Sequence, residues 1–170
     1  AILFFAAYSQ LSGKLRLLTL LGIVFCGLGD VMLTQTFDSA FVMGLGAFLT
    51  GHVFYVICFS GFSNKEHLTQ KILLICVVLF ITIGMALKVL PLAGDLTIPV
   101  TAYICVIATM GIFSILSWRL SFVHVLGAFS FIVSDSMIAW NMFLEPIPYS
   151  RHLIMTTYYL AQILIISGIL

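Results

Sequence analysis

The chain of 170 residues is 62% hydrophobic and only 8% charged, with a mean hydropathy of +1.24, whereas soluble domains carry about 25% charged residues. This composition excludes a water-soluble globular domain, and a formal net charge of +1 excludes a basic surface for nucleic acid. Cys26, Cys58, Cys76 and Cys105 lie in apolar stretches without the spacing of a disulfide framework or a zinc site.

Runs of about 20 mostly apolar residues between polar breaks predict membrane helices. The first run, residues 1–7, is the tail of a helix, and we expect the chain to be truncated at its N-terminus because it begins inside this run without an initiator Met. Six full spans follow, over residues 15–33, 40–59, 72–90, 96–116, 122–143 and 152–170. The sequence therefore predicts an all-α, polytopic membrane helix bundle that forms a single transmembrane domain over residues 1–170.

The basic residues predict the orientation of this bundle. We name side A the membrane face at which residues 15–33 begin, and side B the opposite face. Side A has Lys14, Arg16, Lys65, Lys71 and Arg119, against Lys88 and Arg151 at side B. This excess favours side A as the cytoplasmic face. Small residues that permit close helix contact recur in the first two full spans, at Gly22, Gly27, Gly29, Gly44, Ala47 and Gly51.

Two acidic residues lie inside the predicted bilayer. At 1.5 Å per residue, Asp30 lies ~23 Å and Asp135 ~20 Å from the side A ends of their helices, in the side B half of a core about 30 Å thick. A charge at the centre of a membrane helix costs roughly 2.5 to 3.5 kcal/mol on insertion scales, so it usually faces the bundle interior and has a function. The competing interpretation is a structural hydrogen bond to a neighbouring helix.

Polar residues from two further helices share this depth. His52 lies ~18 Å and Tyr158 and Tyr159 lie ~10 Å from side B, with Gln162 one turn deeper. Helical spacing places further candidates on the same helix faces. The spacings are three residues from His52 to Tyr55, four from Tyr158 to Gln162, and seven from Ser134 to Asn141. A packing role for His52 and membrane-interface anchoring by Tyr158 and Tyr159 are the alternatives.

Two carboxyls in an apolar site suit acid and base chemistry, because burial and mutual repulsion leave one protonated donor beside one ionised acceptor. That division of roles fits hydrolysis of an acid-labile bond. Serine chemistry fits less well, since the chain has no GxSxG motif, and zinc chemistry fits poorly, since it has no HExxH motif. We therefore expect neither a metal nor another cofactor.

Four motifs resemble the transmembrane lysoplasmalogenase (YhhN-like) family. They are GLGDVML at 27–33, FVMGLGAFLTGHVFY at 41–55, SDSMIAW at 134–140 and PIPYSRHLIMTTYYLAQILI at 146–165. The last two are similar to the animal members. Residues 72–119 match only in hydrophobic character. Family members have about eight membrane helices, each of about 20 residues, so the resemblance implies that this chain lacks the first and most of the second.

The resemblance implies hydrolysis of the vinyl ether bond of lysoplasmalogens to a fatty aldehyde and glycerophosphocholine or glycerophosphoethanolamine. Asp135 as the acid and Asp30 as the residue that orients water is one assignment, and the reverse is the other. His52 would share the base role. Residues that would hold the carboxyls or the lipid are Ser134, Tyr55, Asn141, Tyr158, Tyr159 and Gln162.

The expected partners are the lysoplasmalogen substrate and membrane lipids, and the expected location is the endoplasmic reticulum membrane. The oligomeric state is not determined by the sequence.

A proton-coupled transporter or lipid carrier is the main alternative function, because such proteins also use acidic residues inside the membrane. No inverted repeat is recognisable to support it. A seven-helix receptor is a third alternative that the helix count alone does not favour.

Overall fold

The computed structural model describes residues 2–63, 68–117 and 121–170. These ranges contain helices and no strands, in the order α1 (Ile2–Gln10), α2 (Gly13–Leu33), α3 (Ala40–Ser60), α4 (Leu68–Val89), α5 (Thr97–Leu116), α6 (Phe122–Phe143) and α7 (Ser150–Ile169). Two short 3-10 helices, Leu90–Leu92 and Gly94–Leu96, connect α4 to α5. The side A residues Lys65 and Arg119 lie outside the described ranges.

Six of the described helices, α2 to α7, are long and apolar enough to cross a membrane. This confirms the predicted all-α membrane bundle, with α1 as the partial span of nine residues. Large apolar side chains such as Phe80, Leu87 and Ile98 point outward and are 80%, 73% and 82% exposed, which suits contact with lipid chains rather than with water. The protein is an integral membrane protein.

Three helices begin earlier than the hydropathy predicts, and the first is α2, which begins at Gly13 rather than at residue 15. The helix α4 begins at Leu68 rather than at residue 72, because the polar Thr69, Gln70 and Lys71 form its first turn. The helix α7 begins at Ser150 rather than at residue 152, since the carbonyl oxygen of Tyr149 accepts hydrogen bonds from the backbone N–H groups of His152 and Leu153. Hydropathy marks where a helix is apolar, whereas backbone hydrogen bonds mark where it starts.

Glycines allow α2 and α3 to pack closely. A Cβ atom at Gly51 would lie 2.8 Å from Cys26 Sγ and 3.2 Å from the carbonyl oxygen of Gly22, so the two backbones approach as small residues in membrane helices permit. Gly29 and Gly44 also face the neighbouring helix. Gly27 has no neighbour within 4 Å of an added Cβ, so it does not serve the predicted packing role.

In the side B half of the bundle, α2, α3, α5, α6 and α7 carry Asp30, His52, Tyr103, Asp135 and Tyr158. The helix α3 packs against both α2 and α5, and α6 packs against both α5 and α7. At side A, Lys71 is buried and its Nζ donates a hydrogen bond to the carbonyl oxygen of Leu116, 3.2 Å away, where a cation stabilises the end of α5. The polar site is therefore enclosed by helices whose contacts fix its position.

Candidate active site

Asp135 of α6 is the most deeply enclosed acid in the described residues, with 8% of its surface exposed. The Tyr103 hydroxyl of α5 donates a hydrogen bond to Asp135 Oδ2. His52 Nε2 of α3 lies 3.9 Å from the same oxygen. Three helices therefore bring a carboxyl, a phenol and an imidazole together inside the bundle.

The backbone contact of His52 indicates its tautomer. His52 Nδ1 lies 2.7 Å from the carbonyl oxygen of Phe48, and because a carbonyl oxygen only accepts, Nδ1 carries the hydrogen. Nε2 of the neutral ring then directs its lone pair toward Asp135, and it has no hydrogen-bond partner within the part of the chain that is described. This lone pair is therefore free to accept a proton, 3.9 Å from Oδ2 of the Asp135 carboxyl.

Asp30 lies in the last turn of α2 and is half-buried. Tyr158 of α7 and Asp30 line the same cavity. The Tyr158 ring packs edge-on against Phe48 and Phe131, with ring centroids 5.8 Å and 5.3 Å apart. Asp30 and Asp135 line two cavities that share several of their walls, so the structure brings both acids into one region.

The two acids face different cavities. Asp135 and Tyr103 line an apolar cavity, whose other walls are mostly aliphatic and aromatic side chains from α3 to α6. Asp30 and Tyr158 line a wider, more polar cavity. The cavities share the walls formed by Leu33, Phe41, Phe48 and Ile138. An amphiphile with one chain matches this pairing of an apolar and a polar space.

Two predicted substrate-binding residues, Ser134 and Asn141, line the polar cavity. Each also has a hydrogen bond within the protein. Ser134 Oγ donates to the carbonyl oxygen of Ile154 at 3.2 Å, and Asn141 Oδ1 accepts from the backbone N–H of Ile147 at 3.0 Å. Their substrate-binding role stays a prediction, and these bonds show that both residues also link α6 to the loop and helix that follow it.

Four other predicted site residues line neither cavity, namely His52, which lies behind Asp135, and Tyr55, Tyr159 and Gln162. Tyr55 is buried and its hydroxyl donates to Gln162 Oε1 at 2.7 Å, a contact that connects α3 to α7. Tyr159 is 53% exposed on the outer surface, although its ring packs against that of Tyr158 at 5.1 Å. Adjacent residues of a helix are separated by about 100°, which is why Tyr158 points inward and Tyr159 outward.

Tyr103 is the site residue that the sequence analysis missed. It lies in the one part of the chain that matched the family only in hydrophobic character, and a tyrosine in an apolar helix is an ordinary core residue. Its depth in the membrane could have identified it. At 1.5 Å per residue, Tyr103 lies about 9 Å from the start of α5, which is close to the depth of Asp135 and Tyr158 below side B.

Among the described residues, no group of three His, Cys, Asp or Glu side chains is placed to hold a metal ion. The four cysteines are free thiols, two buried and two exposed. The expectation of a reaction without a cofactor stays a prediction.

Comparison of the whole sequence with known protein families identifies its family. A family model described as YhhN matches residues 1–169. The chain belongs to the YhhN family. This confirms the resemblance drawn from the Gly-Asp, His and Ser-Asp motifs.

Several curated relatives of this YhhN-family chain carry the name lysoplasmalogenase. Lysoplasmalogenase TMEM86B of Homo sapiens is 36% identical over 146 residues, which cover 84% of this chain and 59% of the relative. Lysoplasmalogenase TMEM86A of Homo sapiens is 36% identical over 152 residues, which cover 85% of this chain and 61% of the relative. Lysoplasmalogenase TMEM86B of Sus scrofa is 36% identical over 148 residues, which cover 85% of this chain and 60% of the relative. The chain thus spans about three fifths of their length, and no solved structure matches it significantly.

Proposed function

We propose that this YhhN-family protein is a lysoplasmalogenase that hydrolyses the vinyl ether bond of a lysoplasmalogen, without a metal or cofactor, to a fatty aldehyde and glycerophosphocholine or glycerophosphoethanolamine. The names of its relatives support the substrate class. The observation that carries the proposal is the position of Asp135, which lies between Tyr103 and His52 in the wall of an apolar cavity beside a polar one.

The reaction begins with proton transfer to carbon. The Asp135 carboxyl gives its proton to the outer alkene carbon, and the electron pair of the double bond forms the new C–H bond, which leaves an oxocarbenium ion. Water adds to the inner carbon and loses a proton, giving a hemiacetal. The hemiacetal collapses to the aldehyde and the glycerol hydroxyl. Acid catalysis of this kind contributes about 10²- to 10⁴-fold to a rate.

The surroundings of the two acids support Asp135 as the proton donor. The alkene is apolar, and Asp135 is the acid that lines the apolar cavity. Tyr103 and His52 both approach Oδ2, so the proton is best placed on Oδ1, which neither of them contacts. An acid held in a poorly solvated site keeps its proton until the substrate arrives.

Asp30 is suited to the later steps. It lines the polar cavity, where water has access, and its carboxylate would orient the attacking water and stabilise the cation, as the second carboxylate does in glycoside hydrolysis. The proton that the attacking water loses would return to the Asp135 carboxylate, directly or through His52 Nε2, whose lone pair can accept it and pass it on. We place the protein in the endoplasmic reticulum membrane.

Asp→Asn substitutions test the assignment. We expect Asp135→Asn to lower aldehyde release from a lysoplasmalogen by at least about 10²-fold and Asp30→Asn to lower it by about 10- to 10³-fold, because each removes a proton-transfer or charge-stabilising group. Asp38→Asn is the matched control, since Asp38 is exposed in the loop between α2 and α3 and lines neither cavity.

The assay uses the purified full-length protein with a chelator present and a saturated-ether lysolipid as the substrate control. Aldehyde from the vinyl ether alone, lost in Asp135→Asn and kept in Asp38→Asn, is the expected result. If normally folded Asp135→Asn and Asp30→Asn both keep wild-type turnover, the carboxyl mechanism is wrong. If the wild-type protein binds the lipid and releases no aldehyde, a lipid carrier becomes the better account.

A further inference from the structure

The polar cavity contains a basic residue to which neither the motifs nor the proposed reaction assigns a role. Arg151 lies in the first turn of α7 and, among the described residues, is the only Lys or Arg that lines either cavity. The one ion-pair contact in the described ranges joins His52 to Asp135, so Arg151 has no carboxylate partner there. A guanidinium presents several N–H donors in a planar fork that matches the oxygens of a phosphate group.

The depth of Arg151 matches the level of lipid phosphates. It is the second residue of α7, whereas Asp135 lies about 12 Å below the side B end of α6 at 1.5 Å per residue. Arg151 therefore lies at the boundary between the hydrocarbon core and the headgroups. In a lysoplasmalogen only the glycerol backbone separates the phosphate from the vinyl ether, so a lipid bound at both cavities would extend from Arg151 toward Asp135.

The other polar side chains that line this cavity in the described residues are neutral or acidic, so Arg151 is the group that can neutralise a phosphate there. One of them, Asn141, accepts the N–H of Ile147 through Oδ1. The positive end of the dipole of α7 also lies at this residue and favours an anion.

We propose that Arg151 binds the phosphodiester of a single-chain phospholipid whose hydrocarbon chain occupies the apolar cavity. This inference rests on the proposed function, because it assumes that the two cavities hold one lipid. It adds a residue that selects a phospholipid over a neutral ether lipid of the same chain.

Binding of two saturated-ether lipids to the purified full-length protein tests the proposal without hydrolysis. One probe is 1-alkyl-glycerophosphocholine and the other is 1-alkylglycerol, which has the same chain and no phosphate. We expect Arg151→Gln to raise the Kd of the phospholipid about 10- to 100-fold, the effect of a lost charge-assisted hydrogen bond, and to leave the Kd of the alkylglycerol unchanged. Arg151→Lys should keep part of the preference.

Lys88→Gln is the matched control, because Lys88 is exposed in the last turn of α4 at the same membrane face and lines neither cavity. An equal loss in Lys88→Gln and Arg151→Gln would overturn the proposal, since it would reflect surface charge alone. No loss in Arg151→Gln would also overturn it. Competition by inorganic phosphate should be weak. If inorganic phosphate binds as tightly as the phospholipid, the assignment to a lipid headgroup is wrong.

Aldehyde release measured on the same preparations separates the two proposals. If the wild-type protein releases aldehyde and Arg151→Gln binds both lipids normally, the function stands and the phosphate site does not. If the wild-type protein prefers the phospholipid through Arg151 but releases no aldehyde, the phosphate site stands and the hydrolase does not.

Discussion

At the scale of single residues, the site depends on how two side chains approach one carboxyl. The Tyr103 hydroxyl donates to Asp135 Oδ2, and His52 Nε2 lies 3.9 Å from the same atom. The His52 ring is held edge-on by Phe131, with ring centroids 4.4 Å apart, and its Nδ1 is bonded to the backbone. The imidazole therefore cannot turn away from Asp135 without breaking a buried hydrogen bond, which costs about 1 to 3 kcal/mol.

Tyr103→Phe tests whether the phenol positions the acid. Removing its hydroxyl leaves Asp135 without its donor, and we expect turnover of a lysoplasmalogen to fall about 10- to 100-fold, the effect of losing a hydrogen bond to a charged or acidic group. The loss should be in kcat rather than in KM, because Tyr103 orients the acid and does not hold the headgroup.

Ser117→Ala provides the control for Tyr103→Phe. Ser117 Oγ lies 3.0 Å from His124 Nε2 in a buried contact at the side A end of α5, away from both cavities. Both variants lose a buried hydrogen bond and should lose similar thermal stability, measured as Tm. A Tyr103→Phe protein that keeps the turnover of Ser117→Ala would contradict the positioning role.

At the scale of helices, the close approach of α2 and α3 sets where Asp30 and His52 lie relative to each other. The contact is made through glycines, and the nearest atoms to an added Cβ at Gly51 include the backbone oxygen of Gly22 and the backbone nitrogen of Cys26. Backbone atoms cannot move aside as a flexible side chain can. A methyl group at Gly51 must therefore separate the two helices.

Gly51→Ala and Gly46→Ala make a matched pair within α3. The two substitutions change helix propensity equally, by about 1 kcal/mol in favour of Ala, but an added Cβ at Gly46 meets no atom within 4 Å. We expect Gly51→Ala to lower the free energy of unfolding by about 1 to 3 kcal/mol, the usual result of overpacking, and Gly46→Ala to leave it equal or higher. Thermal unfolding of the detergent-solubilised variants measures this, and equal Tm values would contradict the packing.

The helices themselves could be predicted well from the sequence, for a physical reason. Polar breaks such as Ser60 to Gln70 and Glu145 to Ser150 end the apolar runs, because a bilayer admits backbone only in hydrogen-bonded helices. The bounds of α2, α3, α5 and α6 therefore follow from hydropathy to within two residues or so. The earlier starts of α4 and α7 depend on polar first turns, which hydropathy does not register.

The sequence predicted how deep the site residues lie in the membrane, but it did not predict which way their side chains point. Counting residues along helices placed Asp30, Asp135 and Tyr158 at similar levels, and the structure brings them into one region. Rotation about a helix axis is set by packing against neighbours, so the outward position of Tyr159 and the pairing of Tyr55 with Gln162 required the structure. Tyr103 was missed because an isolated tyrosine in an apolar helix carries no pattern of its own.

At the scale of the whole molecule, the bundle offers a bound lipid both an apolar and a polar environment. Its outer surface is apolar, as Phe80 and Ile98 illustrate, and its side B half contains an apolar cavity beside a polar one. A single-chain lipid can then lie with its chain among hydrocarbon walls while its headgroup stays near the membrane surface. The proposed reaction needs this arrangement, because protonation takes place on the chain and hydration needs water.

Transfer of a proton from Asp135 to carbon is the central claim, and the isotope content of the product tests it most directly. The full-length protein would hydrolyse a lysoplasmalogen in D2O, and mass spectrometry of the aldehyde would count deuterium, with unlabelled aldehyde incubated in parallel to correct for exchange. We predict one deuterium on the carbon next to the carbonyl, formed at a rate that Asp135→Asn abolishes. An aldehyde without deuterium at that carbon would contradict protonation of the alkene and with it the mechanism.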